Sequence, residues 1–194
     1  MSVLSTRFRE LADLIYDFEL SARSSIILAT DVISKAFEGG NKLLICGNGG
    51  SAADSQHFAA EFVNLFSREL DRRALPAIAL STDSSVLTSI ANDSKFEDVF
   101  ARQVAALGSP GDVLVSLTTS GTSKNCLSAV QIAKSKQMVS IVFTRKGGEI
   151  GSRADISIEV PSNNTQHIQE CHMLAYHVIA ELVEDKLFRK QDLQ

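Results

Sequence analysis

The stretch KLLICGNGGSAADSQHFAAEFVNLF, residues 42–66, contains the pattern that decides the fold. Residues 42–47 are a short apolar run, which predicts a buried strand. Three glycines fall within residues 47–50 and predict a tight loop. Residues 53–66 place their apolar side chains at helical spacing. A strand that leads through a glycine-rich loop into a helix is the unit from which parallel α/β folds are built.

The same alternation of strands and helices continues along the chain. Further strands are predicted at residues 75–81, 112–118, 138–144 and 154–160, and long helices at 123–137 and 164–188. The strands are apolar on both faces, as strands are when helices cover both sides of a parallel sheet. We therefore expect one α/β domain over residues 1–194, a three-layer, doubly wound, flavodoxin-like fold with a five-stranded parallel sheet. Ligands of such folds bind beyond the carboxyl ends of the strands.

A helical extension precedes the first strand. Residues 4–37 carry apolar side chains at steps of three and four, which predicts two helices or one long bent helix within residues 1–40. These apolar side chains lie on more than one side of the helix. That distribution favours packing against another subunit.

The composition excludes several classes of protein. Of 194 residues, 44% are hydrophobic and 22% are charged, and the formal net charge is −4. No bulk positive charge is present to recruit nucleic acid or an anionic membrane, whereas a small ligand or a protein partner remains open. The N-terminal residues lack the apolar region of a signal peptide, and no run of ~18 apolar residues predicts a membrane span.

The cysteines indicate a reducing compartment. Cys46, Cys126 and Cys171 are an odd and scattered set without a CxxC pair, so neither a disulfide framework nor a thiolate zinc site is expected. We interpret each as a small buried hydrophobic residue in a cytoplasmic protein.

Two loops at predicted strand ends are candidate ligand sites. The loop GNGGS, residues 47–51, matches neither GxGxxG nor a Walker A motif. Its glycines allow backbone N–H groups to approach a ligand, and the following helix start favours an anion. The alternative is a tight turn between strand and helix without a ligand.

The second loop, TTSGTSKN at residues 118–125, is rich in hydroxyl groups. Such groups with free N–H groups form a neutral site for a phosphate monoester. A helix N-cap with a Ser/Thr turn is the alternative, but it explains only one or two of the hydroxyls. The hydroxyl groups belong to Thr118, Thr119, Ser120, Thr122 and Ser123.

Ionisable side chains share one side of the helix at residues 53–66. Asp54, His57 and Glu61 fall within roughly 60° of one another around the helix axis. His57 and Glu61 can bind one metal ion or share a proton, although many such pairs are surface pairs without a function. Three phenylalanines on a neighbouring stripe should face the core: Phe58, Phe62 and Phe66.

The last helix carries further candidates. Gln169 and His177 are eight residues apart, about 12 Å along a helix axis, so they do not easily meet on one metal within a single chain. His177 lies among apolar residues, and a buried histidine with one backbone hydrogen bond is the alternative interpretation. His167 and His172 are interpreted as solvent-facing or packing residues.

Several ordered segments together carry a resemblance that spans nearly the whole chain. They are GNGGSAADSQHFAAEF, LPAIALSTDSSVLTSIAND, VFARQVAALGSPGDVL, TSGTSKN and HIQECH. The chain resembles the phosphoheptose isomerase family of the sugar isomerase (SIS) fold. These enzymes interconvert sedoheptulose 7-phosphate and D-glycero-D-manno-heptose 7-phosphate, the first committed step toward the heptose of lipopolysaccharide and related polymers.

The resemblance implies roles for particular residues. Glu61 matches the family's base and His177 its acid. The ligands of one zinc ion per subunit would be His57, Glu61, Gln169 and His177. Substrate-binding positions would be Asn48, Gly49, Gly50, Ser51, Asp93, Thr118, Thr119, Ser120, Ser123 and Gln169. The phosphate would lie against Ser51, Thr119, Ser120 and Ser123, and the sugar would contact Asn48 and Asp93. The resemblance also implies a cytoplasmic homotetramer with active sites at subunit interfaces.

The chain departs from the family pattern after the AAEF segment. Leu65 stands where many members have an arginine, and Arg68, Arg72 and Arg73 are the candidates to replace it. This departure changes a position that contacts the substrate in the family, so the exact sugar phosphate that the chain accepts stays open.

Two non-catalytic relatives provide alternatives. A DiaA-type tetrameric regulator binds the replication initiator protein, and the segment DKLFRKQD at residues 185–192 resembles that branch. Glu61 and Ser120 are both present here, which favours the enzyme. A sugar-phosphate-sensing SIS domain would leave Glu61 and His177 without a role. A related etherase for amino-sugar phosphates is usually a longer chain.

Overall fold

The computed structural model, which describes residues 2–189, has the predicted three-layer α/β fold. Its five strands, all parallel, lie in the order β2-β1-β3-β4-β5, the flavodoxin-like order. The strands are β1 Leu43–Gly47, β2 Ala77–Ala79, β3 Val113–Thr118, β4 Val139–Arg145 and β5 Ile156–Val160. The end of the C-terminal segment compared with the regulator, residues 190–192, lies outside the described residues.

Six α-helices surround the sheet within the described residues. They are α1 Val3–Glu38, α2 Gly50–Val63, α3 Ser84–Asp93, α4 Ala101–Leu107, α5 Lys124–Ser135 and α6 Thr165–Leu187. The N-terminal extension is thus one continuous helix rather than two. A short 3₁₀ turn, Phe96–Asp98, interrupts the helical pattern before α4. Strand β2 is shorter than the predicted 75–81 at both ends. Pro76, directly before it, has no N–H for a ladder hydrogen bond.

Each face of the sheet has its own hydrophobic core. Leu43 and Ile45 belong to the core formed with α1, α2 and α6, whereas Leu44 and Cys46 belong to the core formed with α4 and α5. The strand residues are therefore buried on both sides, which explains the continuous apolar runs. Phe58 and Phe62 are fully buried in the first core, as their stripe on α2 predicts.

The cysteines and the helices were also predicted to lack disulfides and membrane spans, respectively. Cys46, Cys126 and Cys171 are free and buried, as predicted. None of the helices within residues 2–189 combines the length and the apolar character that crossing a membrane requires.

A buried ion pair ties the end of α2 to α6. The side chains of Arg72 and Glu184 are 0% and 1% exposed, and Arg72 Nε donates to Glu184 Oε1 over 2.6 Å. Arg72 also donates to the main-chain carbonyls of Glu61 and Phe62, at 2.7 and 2.9 Å. Glu184 accepts two more hydrogen bonds, from the main-chain N–H groups of residues 66 and 67. Arg72 is thus engaged in a structural role and does not face a ligand.

Replacing Arg72 by methionine should destabilise the protein strongly. The Arg72→Met variant leaves the Glu184 carboxylate buried without its partner, which typically costs about 3–5 kcal/mol. The free energy of unfolding, measured by urea denaturation, should fall by that amount. The control Arg68→Met removes an exposed arginine from the same loop and should change it by less than about 0.5 kcal/mol. A loss below about 1 kcal/mol in Arg72→Met would contradict this role of the ion pair.

Candidate active site

A small polar pocket lies at the carboxyl ends of β1 and β3, where the fold predicts a ligand. Its volume is about 90 Å³, roughly three times that of one water molecule, so a tetrahedral anion can enter. The pocket is lined by Asn48, Ser51, Leu117, Thr118, Thr119, Ser120 and Ser123. The structure therefore brings together most of the predicted phosphate-binding residues from the two loops.

The hydroxyl groups of the second loop contact one another, and two of them also accept hydrogen bonds from main-chain N–H groups, Thr118 Oγ1 from Gly121 and Ser120 Oγ from Thr122, each over 3.3 Å. Thr118 Oγ1 lies 3.0 Å from Ser123 Oγ and 3.3 Å from Ser120 Oγ. Ser123 is the N-cap residue of α5, yet its hydroxyl makes no capping hydrogen bond. The N-cap alternative thus fails for the Ser123 hydroxyl, which lines the pocket and can turn toward a bound anion.

Two helices begin at this pocket. Helix α2 begins at Gly50, with Ser51 in the pocket wall, and α5 begins directly after Ser123. The partial positive charge at a helix start favours an anion there. Gly49, the N-cap of α2, has a φ of 57°, a left-handed conformation that glycine adopts without strain. These features supply positive potential at the pocket from the backbone.

Asn125 is a pocket-supporting residue that the sequence analysis did not single out. Asn48 Nδ2 donates to Asn125 Oδ1 over 2.9 Å, and Asn125 Nδ2 donates back to Asn48 Oδ1 over 2.8 Å. This reciprocal pair of amides joins the loop after β1 to the first turn of α5. Asn125 is the last residue of the TTSGTSKN segment, so its position next to the hydroxyl-rich loop was the one sequence feature that could have indicated this contact.

Arg145 supports the same loop from β4. Its Nε donates to the main-chain carbonyl of Ser120 over 3.0 Å, and its Nη1 donates to Asn163 Oδ1 over 3.0 Å. Since Thr118 of β3 is paired with Thr144 of β4, Arg145 follows at the same sheet edge. No local sequence pattern indicates this contact, because it depends on the register between two strands.

A cluster of three ionisable side chains lies between α2 and α6. His57 Nε2 is 2.9 Å from Glu61 Oε1 and 3.4 Å from His177 Nε2, and the candidate ligand atoms all lie within 4.8 Å of one another. Two imidazole nitrogens and one carboxylate oxygen are a donor set that suits a divalent transition metal. The residues therefore fit a metal ion, and a single chain brings all three together.

Gln169 lies elsewhere along the same pair of helices. Its Nε2 donates to Asp54 Oδ2 over 3.0 Å, and a Cβ added at Gly50 would collide with its amide group. Burial raises the pKa of Asp54, and the hydrogen bond from Gln169 opposes this shift. Gln169 and His177 therefore do not meet within one chain. Gln169 lies beside the start of α2, and His177 lies beside its later turns.

Tyr176 completes the surroundings of His57, and the sequence analysis did not identify it. Its hydroxyl oxygen lies 3.0 Å from His57 Nδ1. Burial raises the pKa of the Tyr176 phenol, so this group stays protonated near neutral pH. Burial and the adjacent His57 hold the pKa of His177 below its usual range, although Glu61 acts in the opposite direction. His177 is therefore a neutral imidazole at pH 7.

The two other histidines of α6 are packing residues. His172 is fully buried with its ring edge-to-face against Phe143, and burial lowers its pKa to about 4. His167 is also buried, and its ring nitrogens lie 2.8 Å from Glu170 and 3.4 Å from Glu10. The interpretation of both as packing rather than site residues agrees with these positions.

Asp93 does not line the pocket formed by the two loops. It lies exposed at the end of α3 and lines a separate cavity of about 260 Å³ with Ser89, Ile90, Ser94 and Arg102. Its predicted contact with a sugar stays a prediction, and within one chain the structure does not bring it to the other predicted residues.

Comparisons with known proteins agree on one family. The family model of the SIS domain matches residues 8–145. A phosphoheptose isomerase from Thermodesulfovibrio yellowstonii is 51% identical over 159 residues, which cover 81% of this chain and 78% of that protein. A phosphoheptose isomerase from Synechocystis sp. is 48% identical over 186 residues, which cover 95% of each chain.

A solved structure is similar over almost the same length. It is the phosphoheptose isomerase GmhA from Neisseria gonorrhoeae, which is 38% identical to this chain. The TM-score is 0.88, and the match covers 94% of this chain and 97% of that chain. The fold and the sequence thus point to the same relatives.

The hydroxyl groups of the pocket should determine its affinity for phosphate. The double variant Ser120→Ala, Ser123→Ala removes two neutral donors, each worth about 1.5–3 kcal/mol toward a charged group. Its dissociation constant for inorganic phosphate, measured by NMR titration, should rise at least tenfold. Ser135→Ala is the control, because it removes an exposed hydroxyl group from the far end of α5, which does not line the pocket. Equal constants for the double variant and the unmodified protein would move the phosphate site elsewhere.

Proposed function

Because the chain belongs to the SIS domain family and, within it, to the phosphoheptose isomerases, we propose that it interconverts sedoheptulose 7-phosphate and D-glycero-D-manno-heptose 7-phosphate. The observation that carries the proposal is the cluster of Glu61, on the helix α2 that begins at the polar pocket, with His177 of the neighbouring helix α6. Ser51 and Glu61 are ten residues apart, about 15 Å along α2. Glutamate side chains lean toward the helix start, which shortens this gap and suits an open-chain sugar phosphate.

The proposed reaction moves one proton between carbons and one between oxygens. Glu61 removes a proton from C1 of the ketose and returns it to C2, so that the aldose forms through an ene-diol. His177 gives a proton to the oxygen on C2 and receives the proton from the oxygen on C1. A neutral imidazole suits this exchange, because the ring nitrogen that does not bind a metal can give a proton to one oxygen and then take the proton from the neighbouring oxygen.

The proposed cofactor is one zinc ion per subunit. The cluster of His57, Glu61 and His177 would hold it. Gln169, which donates to Asp54 within one chain, would be the predicted fourth ligand if another subunit supplied it. A bound zinc ion would polarise the substrate carbonyl and stabilise negative charge that develops on its oxygen. His57 would bind and orient the metal ion rather than transfer a proton, and its other ring nitrogen lies beside the Tyr176 hydroxyl.

The proposed phosphate site is the pocket between the two loops. Ser51, Thr118, Thr119, Ser120 and Ser123 would contact the phosphate oxygens, and Gly49 and Gly50 would allow close approach of the backbone. Asn48 would contact the sugar from the same wall. A sugar contact by Asp93 requires another subunit, since Asp93 lines a separate cavity.

The proposed assembly is a cytoplasmic homotetramer with active sites at subunit interfaces. Large apolar side chains are exposed on α1 and α6, which otherwise pack against each other. Large exposed apolar side chains concentrated on two packed helices favour an interaction site. The exposed residues include Phe8, Tyr16, Leu20, Ile27, Leu28, Leu174 and Leu182. A second copy of the chain is the proposed partner for this surface.

Replacing Glu61 by glutamine should abolish most of the isomerase activity. The Glu61→Gln variant keeps the size of the side chain and one oxygen for a metal but removes the base. Loss of a general base typically slows turnover by about 10² to 10⁴. Turnover of sedoheptulose 7-phosphate should be measured with added zinc and with the zinc content of each protein determined.

The matched control is Glu181→Gln, which removes an exposed carboxylate from α6 and should turn over normally. Turnover of Glu61→Gln within tenfold of the unmodified protein would refute the assigned base. No turnover of any heptulose phosphate by the unmodified protein would favour the non-catalytic regulator instead.

The tetramer should depend on the apolar surface of α1. Leu20 is 59% exposed, and Leu20→Glu would place a charge in the proposed interface. Light scattering at micromolar concentration should give a tetrameric mass for the unmodified protein and a smaller mass for this variant. Leu107→Glu on α4 is the control, since Leu107 is 40% exposed on the other side of the sheet. A monomeric mass for the unmodified protein would exclude the assembly.

A further inference from the structure

Tyr176 holds its hydroxyl group in a fixed position beside His57. The tyrosine is fully buried, and its ring stacks on Phe58 with centroids 5.1 Å apart and planes inclined by 26°. Its hydroxyl oxygen reaches His57 Nδ1 at 3.0 Å, whereas the ring of His57 lies at the more exposed edge of the cluster. The core thus positions a polar group against the one nitrogen of His57 that does not face Glu61.

The two nitrogens of His57 have different neighbours. Nε2 lies 2.9 Å from Glu61 Oε1, and Nδ1 lies 3.0 Å from the Tyr176 oxygen. A neutral imidazole carries only one ring proton. A carboxylate only accepts hydrogen bonds, so without a metal the proton belongs on Nε2, where it is donated to Glu61. Nδ1 then accepts a hydrogen bond from the Tyr176 hydroxyl.

A metal ion at Nε2 requires the opposite tautomer. The lone pair of Nε2 binds the metal, so the ring proton must be on Nδ1. The Tyr176 oxygen can accept that proton as well as donate its own, because a phenolic hydroxyl is both donor and acceptor. A carbonyl group or a lysine in this place would stabilise only one of the two tautomers.

We propose that Tyr176 is a positioning residue that sets the metal affinity of this cluster by pairing with His57 Nδ1 in both tautomers. This inference rests on the proposed function, which assigns zinc to His57, Glu61 and His177. Tyr176 fixes the orientation of the His57 ring and satisfies the Nδ1–H group of the metal-bound form. The tautomer shift moves one proton between the two nitrogens through solvent, so no net charge change is needed at His57.

The test compares zinc affinity in matched tyrosine variants. Tyr176→Phe keeps the ring that stacks on Phe58 and removes only the hydroxyl, and Tyr16→Phe makes the same change at an exposed position on α1. Dissociation constants for zinc are measured by competition with a chromogenic chelator. Loss of a partner of this kind typically weakens metal binding 10- to 100-fold, so we expect that change in Tyr176→Phe and none in Tyr16→Phe.

Two further measurements distinguish an error in the role of Tyr176 from an error in the metal site itself. His57→Ala should lose the zinc site and serves as the reference for loss of a ligand. Zinc affinity of Tyr176→Phe within twofold of the unmodified protein, together with loss in His57→Ala, would overturn the role of Tyr176 and leave the proposed metal site intact. No zinc binding by the unmodified protein would overturn the metal site, and the role of Tyr176 with it.

The tautomer itself can be observed by nitrogen NMR of the imidazole at mildly alkaline pH. We expect the His57 proton on Nε2 in the metal-free protein and on Nδ1 after zinc is added. A general loss of stability would not produce this shift, because unfolding removes the difference between the two nitrogens. A proton on Nδ1 in both states, or on Nε2 in both, would overturn the proposed switch.

Discussion

The candidate site depends on one close approach between two helices, α2 and α6. At the start of α2, Gly50 has no side chain, so the amide of Gln169 lies directly against the helix. That contact aligns the two helices with their N-terminal ends together, and it brings His177 beside His57 two turns further along. At the far end, the ion pair of Arg72 with Glu184 holds the last turn of α2 to the same helix. The ionisable cluster is therefore anchored from both ends.

The polar pocket is built from hydroxyl groups and helix starts rather than from cations. Among its lining residues the structure includes neither lysine nor arginine. Arg145, the arginine at this sheet edge, donates to the main chain of Ser120 and to Asn163 instead. The ionisable cluster lies at a different level of α2, so the proposed phosphate site and the proposed proton-transfer groups are separate.

The sequence by itself determined the fold class and named most of the residues that meet in the candidate site. Strands that are apolar on both faces require helices on both sides of the sheet, and five such strands gave the three-layer fold. The glycine-rich and hydroxyl-rich loops had to meet, because the carboxyl ends of neighbouring parallel strands lie at one edge. The pairing of His57 with Glu61 also followed from helical spacing within one element.

Only the tertiary structure decided which residues from different elements meet. Asn125, Arg145 and Tyr176 contact the site across long sequence separations, and a local pattern does not encode such contacts. Spacing along α6 separated Gln169 from His177, but only the packing against α2 showed which partner each one meets. The physical reason is that periodicity fixes the face of one helix, whereas register between two helices depends on side-chain volume at their contact. A glycine on one helix and an aromatic ring on the other set that register here.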